Sequence, residues 1–467
     1  MSSLQSKNTM TLTDGSIKKK LFLFSLPIVC SGLLQLLFNV ADLVVCGQFG
    51  SQNSVGAISA TTSLIYLIIN LFLGLGVGTN VCIGHAYGAK NKEKATKTVE
   101  SAMALAFLSS IFLAIIGYVF AKTFLSWMGT PDDIIDLSTT YMQIYFLSIP
   151  SMLVYNFGSA LLRGMGDTKR PFYYLTIAGG MNYGLNIIFV RFGGMDVAGV
   201  AYATLITQTL SALAVLITLM YGGLFASFRF KTMRFYKEET LEIIKVGLPA
   251  GIQGAMFSIS NVIIQSSINS FGSYADTGNG AGASIESFVG QGMDGFCQAG
   301  VAFVAANRGA KNIENIKKSV LWSFIYGALA TIVWSGIALI LRESLITVYT
   351  RDPKAIEVGT TRILINCSTY LLFMMTDEFA SVERGMGYSM APMVVSLIGI
   401  CGLRIVYIYT IFPLPAYHTL TYLYYTFPIS WAVTVLAHFC TYLVIRKKVF
   451  QKIEAANKLS LQDQSQA

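Results

Sequence analysis

The sequence predicts an all-α polytopic membrane protein, twelve transmembrane helices in two six-helix bundles related as parallel repeats. Three observations predict it. Apolar residues make up 54% of the 467 and charged residues only 12%, against about 25% charged in an ordinary soluble domain, so the chain lacks the polar surface a water-exposed shell needs. Lys and Arg alternate between rich and poor connections along the chain, and the chain matches itself at a shift of about 221 residues.

A bilayer-spanning helix takes about 20 residues, and the apolar segments that qualify follow one another closely. The first, 21–48, starts behind Lys18-Lys19-Lys20 and contains Pro27. That start imitates a secretory signal, and Pro27-Ile28-Val29-Cys30 faintly imitates a lipoprotein cleavage box. Val29 is too bulky for such a site and further spans follow, so a retained first span is expected. The second span, 54–84, is thinned by Gly74, Gly76 and Gly78, small residues that let membrane helices pack closely. Spans at 98–121, 135–162, 171–190 and 197–224 complete the first half. A second set follows at 243–271, 278–306, 319–341, 357–383, 391–413 and 420–445, its first helix carrying Pro249 where the first half has Pro27. A proline removes a backbone hydrogen bond and can kink a helix, which makes both prolines candidate hinges. The expected organisation is an N-terminal arm (1–20), an N-terminal half (21–226), a linker (227–242), a C-terminal half (243–446) and a tail (447–467).

The net charge of +9 is topological on this reading. Of the 33 Lys and Arg, 25 fall on one side of the map: the arm, the loops near 90, 165 and 311, the linker, Arg384 and the tail. Five lie on the other side, and Lys245, Arg362 and Arg404 remain within or near spans. By the positive-inside rule both termini are cytoplasmic. Nucleic-acid binding is not expected, because the basic residues sit in short clusters between apolar stretches.

The self-match is too long to be chance. Leu26-Pro27 falls on Leu248-Pro249, Asn39-Val40 on Asn261-Val262 and Phe49-Gly50-Ser51 on Phe271-Gly272-Ser273. Further on, Gly88-Ala89-Lys90-Asn91 meets Gly309-Ala310-Lys311-Asn312, and Arg163-Gly164-Met165-Gly166 meets Arg384-Gly385-Met386-Gly387. Six spans is an even number, so both halves enter the membrane from the same side, an architecture used by secondary transporters whose two halves rock around a site near the midplane.

These residues, with Asp14-Gly15-Ser16-Ile17, Gln35, Asp42, Gly47, Asp167 and Arg404, resemble the multidrug and toxic compound extrusion (MATE) family over nearly the whole chain. The resemblance implies an exporter of organic cations and other amphipathic compounds, driven by inward flow of protons or sodium ions, in a bacterial inner membrane. It also implies that Asp42 belongs to a polar cluster in the N-terminal half with Asn39, Asn156, Asn182 and Asn186. Many relatives place an aspartate at the position of Asn186. An amide can coordinate sodium through its carbonyl oxygen but cannot accept a coupling proton, so Asp42 is the single titratable group of this cluster.

The residues themselves also single out Asp42. An ionised carboxylate deep in a span costs on the order of 3 kcal/mol on insertion scales, and acids at such places mark ion or substrate pathways. Burial raises the pKa of a carboxyl group, the property a proton-coupled exporter requires. In the second half Glu286, Gln291, Asp294 and Gln298 form a polar stripe on one span, and Asp377, Glu378 and Glu383 follow on another. Glu286, Gln291, Asp294 and Asp377 are expected to line a negatively charged substrate cavity or second ion site, and Glu378 and Glu383 to pair with Arg384 or Arg404.

The exclusions are as informative. No GxxxxGK[ST] loop occurs, so an ion gradient rather than ATP is the expected energy source. Seven Cys without CxxC spacing and three His without metal spacing argue against a disulfide frame, a metal centre or a cofactor. Asp377 and Glu378, as neighbours, point to different helix faces, and no catalytic constellation suggests an enzyme. The expected partners are small organic cations or amphipathic drugs and the bilayer, and nothing demands more than a monomer. The alternative reading is a flippase for lipid-linked saccharides of the same fold superfamily, for which the acidic character of the spans is the contrary sign.

Overall fold

The computed structural model describes residues 9–51 and 53–466; residues 1–8 of the expected arm and the last residue of the tail lie outside them. Among the described residues twelve helical segments are long enough to cross a bilayer. In the first half they are α1 (Ile17–Phe49), α2 (Ser54–Gly88), α3 (Lys92–Trp127), α4 (Ile135–Gly164), α5 (Lys169–Asn186), extended by a π-helical turn at Ile187–Phe192, and α6 (Asp196–Tyr221). The second half repeats the plan with α7 (Lys237–Asn269), α8 (Ser273–Gly309) and α9 (Ile313–Ile340), and, after a short α10 (Arg342–Thr347), α11 (Pro353–Gly385). Its fifth span is broken into α12 (Met390–Ser396), a π-helical stretch (Leu397–Gly402) and α13 (Leu403–Thr410); a short α14 (Leu420–Tyr424) then leads into α15 (Thr426–Gln466).

Capping explains where the repeated helices begin. Lys90 and Lys311 both take positive φ, 54° and 55°, turning the chain so that Asn91 and Asn312 accept from the amides of Lys94 and Asn315 at 2.9 and 3.0 Å. An Asn at the N-cap satisfies an amide that the helix cannot. Asp352 does the same for α11, with Pro353 at its first position.

Two compact units emerge, and their boundaries differ from a cut at the linker. Of the described residues, one comprises those of 9–11 and 30–251 and the other those of 12–29 and 252–466. The early part of α1 therefore belongs with the second unit and the start of α7 with the first. α7 already begins at Lys237, inside the expected linker, and the expected tail continues α15 as helix.

In the first unit α4 is the central helix, packed on α2, α3 and α6; in the second, α11 holds the same place among α8, α9 and α15. The outward faces are apolar, as with Ile111, Ile115 and Val119 on α3, a stripe at i, i+4 and i+8 suited to lipid. Nine of the spans are apolar enough to be recognised by hydropathy alone. The three that are not, α5, α8 and α11, carry Asn182, Asn186, Glu286, Asp294, Arg362 and Asp377.

Candidate functional site

In the N-terminal unit, α1 and α5 come together because Gly179 has no side chain. A Cβ there would lie 1.7 Å from the ring of Phe38. That close approach lets Asn186 Nδ2 donate to Asp42 Oδ1 at 2.5 Å, while the same amide nitrogen reaches Asn182 Oδ1 at 3.1 Å. Asn182 in turn faces Thr204 Oγ1 on α6 at 3.5 Å. Asp42, Asn182 and Thr204 open onto a cavity of about 80 Å³ lined also by Gln35, Asn39, Thr207 and Gln208 among others, with Asn186 fully buried behind them. Asp42 is its one charged residue among those described. Asn39, Asp42 and Asn182 share this lining, and Asn186 is joined to them by its bonds to Asp42 and Asn182. Asn156 is not in that lining; its Nδ2 donates to the Met152 carbonyl of its own helix at 2.9 Å.

The C-terminal unit holds a larger cavity, about 310 Å³, between α7, α8, α11, α13 and α15. Glu286 lines it, but its carboxylate is taken. Arg362 Nε and Nη2 donate to Oε1 and Oε2 at 3.0 and 2.7 Å, and Asn366 Nδ2 adds a third bond at 2.9 Å. Arg362 also donates to Asn279 Oδ1. The expected negatively lined cavity is therefore not what this space presents: an acid this deep is held by a counter-charge, and a second cation, Arg404, lines the same cavity. Gln291, Asp294 and Asp377 are not among its lining residues. At 1.5 Å rise per residue, Asp294 lies about 12 Å further along α8 than Glu286, where Gln298 Nε2 donates to it at 2.5 Å.

Near Asp294 a buried polar network ties four helices. Arg384 Nη2 donates to Gln253 Oε1 at 2.7 Å, and Gln253 Nε2 to Ser396 Oγ at 3.2 Å. Ser396 Oγ pairs with His438 Nε2 at 3.0 Å, while Glu383 lies 3.7 Å from His438 Nδ1 and accepts from Thr441 at 2.7 Å. Glu378 is fully buried against α8, where a Cβ on Gly300 would stand 2.9 Å from its Oε1. The expected direct pairing of Glu378 and Glu383 with Arg384 or Arg404 is absent among the described residues: Arg404 is in the cavity, and Glu383 is joined to Arg384 only through this chain of uncharged groups and the histidine.

A profile described as MatE matches residues 27–188 and again 249–410, one match in each half. The chain belongs to the MatE family. Its match to the probable multidrug resistance protein YoeA of Bacillus subtilis is 28% identical over 454 residues, covering 94% of this chain and 96% of that one. The multidrug export protein MepA of Staphylococcus aureus is 22% identical over 79% of this chain and 82% of its own. A solved structure titled as the outward-facing conformation of a multidrug resistance MATE family transporter superposes with a TM-score of 0.87 at 20% identity, covering 96% of this chain and all of the other. The twelve-helix fold is that of MATE transporters, and the chain is a multi-pass membrane protein of the multidrug efflux type.

Within this MATE fold the residue that sequence reasoning passed over is Arg362, while Arg404 was expected only as a partner for Glu378 or Glu383. Both were the remainder of the charge count, basic residues left inside spans with no topological task. An intramembrane ionisable group is a functional candidate by default, and that unassigned remainder was the available signal. His85 is similar: it lies 3.7 Å from Glu242, which Lys94 also meets at 2.8 Å, joining α2, α3 and α7 in the N-terminal unit.

Proposed function

We propose that the chain is a secondary active exporter of organic cations and other amphipathic compounds, working by antiport against protons or sodium ions with alternating access of its two halves. The observation that carries the reading is Asp42, a lone carboxylate lining a small polar cavity, held by Asn186 and surrounded by amides and hydroxyls. A carboxylate with oxygen donors around it suits a proton or a sodium ion equally. Each ion contributes about 2.3 kcal/mol per 100 mV of membrane potential, enough for one or two to drive a modest drug gradient. The setting is the bacterial inner membrane, with both termini cytoplasmic, no cofactor and a monomer as the working unit.

The deciding experiment reconstitutes the protein in liposomes and follows ethidium movement under an imposed gradient of one ion at a time. Ethidium accumulation against its gradient under either ion supports the reading and names the ion. No movement under either gradient, with folded protein, overturns it.

A further inference from the structure

The C-terminal cavity carries two arginines and one glutamate among its described lining residues, and the glutamate is spent on one of the arginines. Arg404 is 95% buried, being 5% exposed. Its Nε donates to Ser430 Oγ at 3.1 Å and its guanidinium lies 4.4 Å from the centre of the Phe427 ring. Guanidinium has five N–H donors; among the described residues those on Nη1 and Nη2 have no hydrogen-bond partner, and no carboxylate stands within ion-pair distance of Arg404. A cation kept in a span without a counter-ion is costly and marks a pathway. The space beside it is large enough for a small drug-sized molecule, and its walls are aromatic: Tyr370, Phe373, Phe427 and Trp431.

We propose that this cavity binds an aromatic monocarboxylate, with Arg404 receiving the carboxylate and Phe427 and Trp431 covering the ring system. The Glu286–Arg362 pair is the fixed wall of the site. It leaves the cavity one positive charge in excess, which one carboxylate neutralises. Arginine's planar fork matches a carboxylate with two parallel hydrogen bonds, and Asn261 and Gln265 add neutral polar groups to the same lining. The proposal deepens the export reading by giving the C-terminal half a substrate class of its own, distinct from whatever ion Asp42 takes.

Titration calorimetry on the purified full-length protein in neutral detergent, with 1-naphthoate and its uncharged amide 1-naphthamide as probes, tests the assignment. Wild type is expected to bind naphthoate about tenfold or more tightly than naphthamide, the scale of one charge-assisted interaction. Arg404→Gln should remove that preference and Arg404→Lys should retain part of it, with thermal unfolding monitored to show that each variant is folded. Equal affinity of wild type for the two probes overturns the proposal, and this comparison needs no variant at all. So does an undiminished preference in folded Arg404→Gln. Displacement of naphthoate by an equal concentration of phosphatidylglycerol also overturns it, moving the site to lipid headgroups. Because binding is read without transport, naphthoate binding by a protein that moves nothing supports this site and overturns the export reading alone.

Discussion

Asn186 Nδ2 donates to Asp42 Oδ1 at 2.5 Å, linking α5 to α1 within the N-terminal unit. An amide donor beside a carboxylate orients it without neutralising it, which leaves Asp42 able to serve the proposed coupling. Asp42→Asn preserves shape and removes that change. Ethidium efflux from cells is expected to fall to background, about tenfold or more, if each turnover needs the charge, while the variant reaches the membrane in wild-type amount. Full efflux would refute the coupling role.

Asn186→Asp tests the same contact from its partner. Two carboxylates this close disfavour joint ionisation, so the variant cluster carries a second titratable group where the wild-type cluster has one. Transport in liposomes should then depend more steeply on the proton gradient than in wild type. An unchanged response to each ion would show that Asn186 acts only as a hydrogen-bond donor.

The fold was legible because its signals are one-dimensional. The expected span 135–162 is the helix Ile135–Gly164, and 197–224 is Asp196–Tyr221; apolar length and loop charge fix such limits without tertiary information. Asp42 was legible for the same reason, as a lone acid in an apolar run. The pairing of Glu286 with Arg362 was not, since the two are 76 positions apart and meet only through the rotational phase of α8 against α11. Glu286 and Asp294 share a helical stripe, and a stripe records direction around the axis but not depth along it. That is why the sequence grouped them and the structure separates them.

Gly74 sits against Gly251, where a Cβ would come within 2.1 Å of the Gly251 amide nitrogen, and Gly78 meets Ile243 and Gly247 as closely. Gly74 and Gly78 thus form a packing seam with the first part of α7, whereas Gly76 between them faces no atom within 4 Å. Gly74→Val is expected to cost about 1–3 kcal/mol or more through overpacking, visible as a lower unfolding temperature in detergent. Gly76→Ala should leave that temperature unchanged or slightly raised, since alanine is the better helix former. Equal effects of the two would contradict the seam.

Glu286 and Arg362 are each almost wholly buried and joined by two hydrogen bonds. Removing one member leaves the other as an uncompensated charge, which costs about 3–5 kcal/mol in buried pairs. Glu286→Gln should therefore lower stability strongly, because Arg362 loses its counter-ion while Asn279 supplies only a neutral acceptor. Replacing both, as Glu286→Gln with Arg362→Met, removes the charges together and should recover most of the loss. If the acid were instead an open attractor for cationic substrates, Glu286→Gln would leave stability nearly unchanged and weaken cation transport. The unfolding temperatures of the two single variants and the double variant separate these outcomes: a double variant more stable than either single one assigns Glu286 to the wall of the cavity, and additive losses would return it to the substrate.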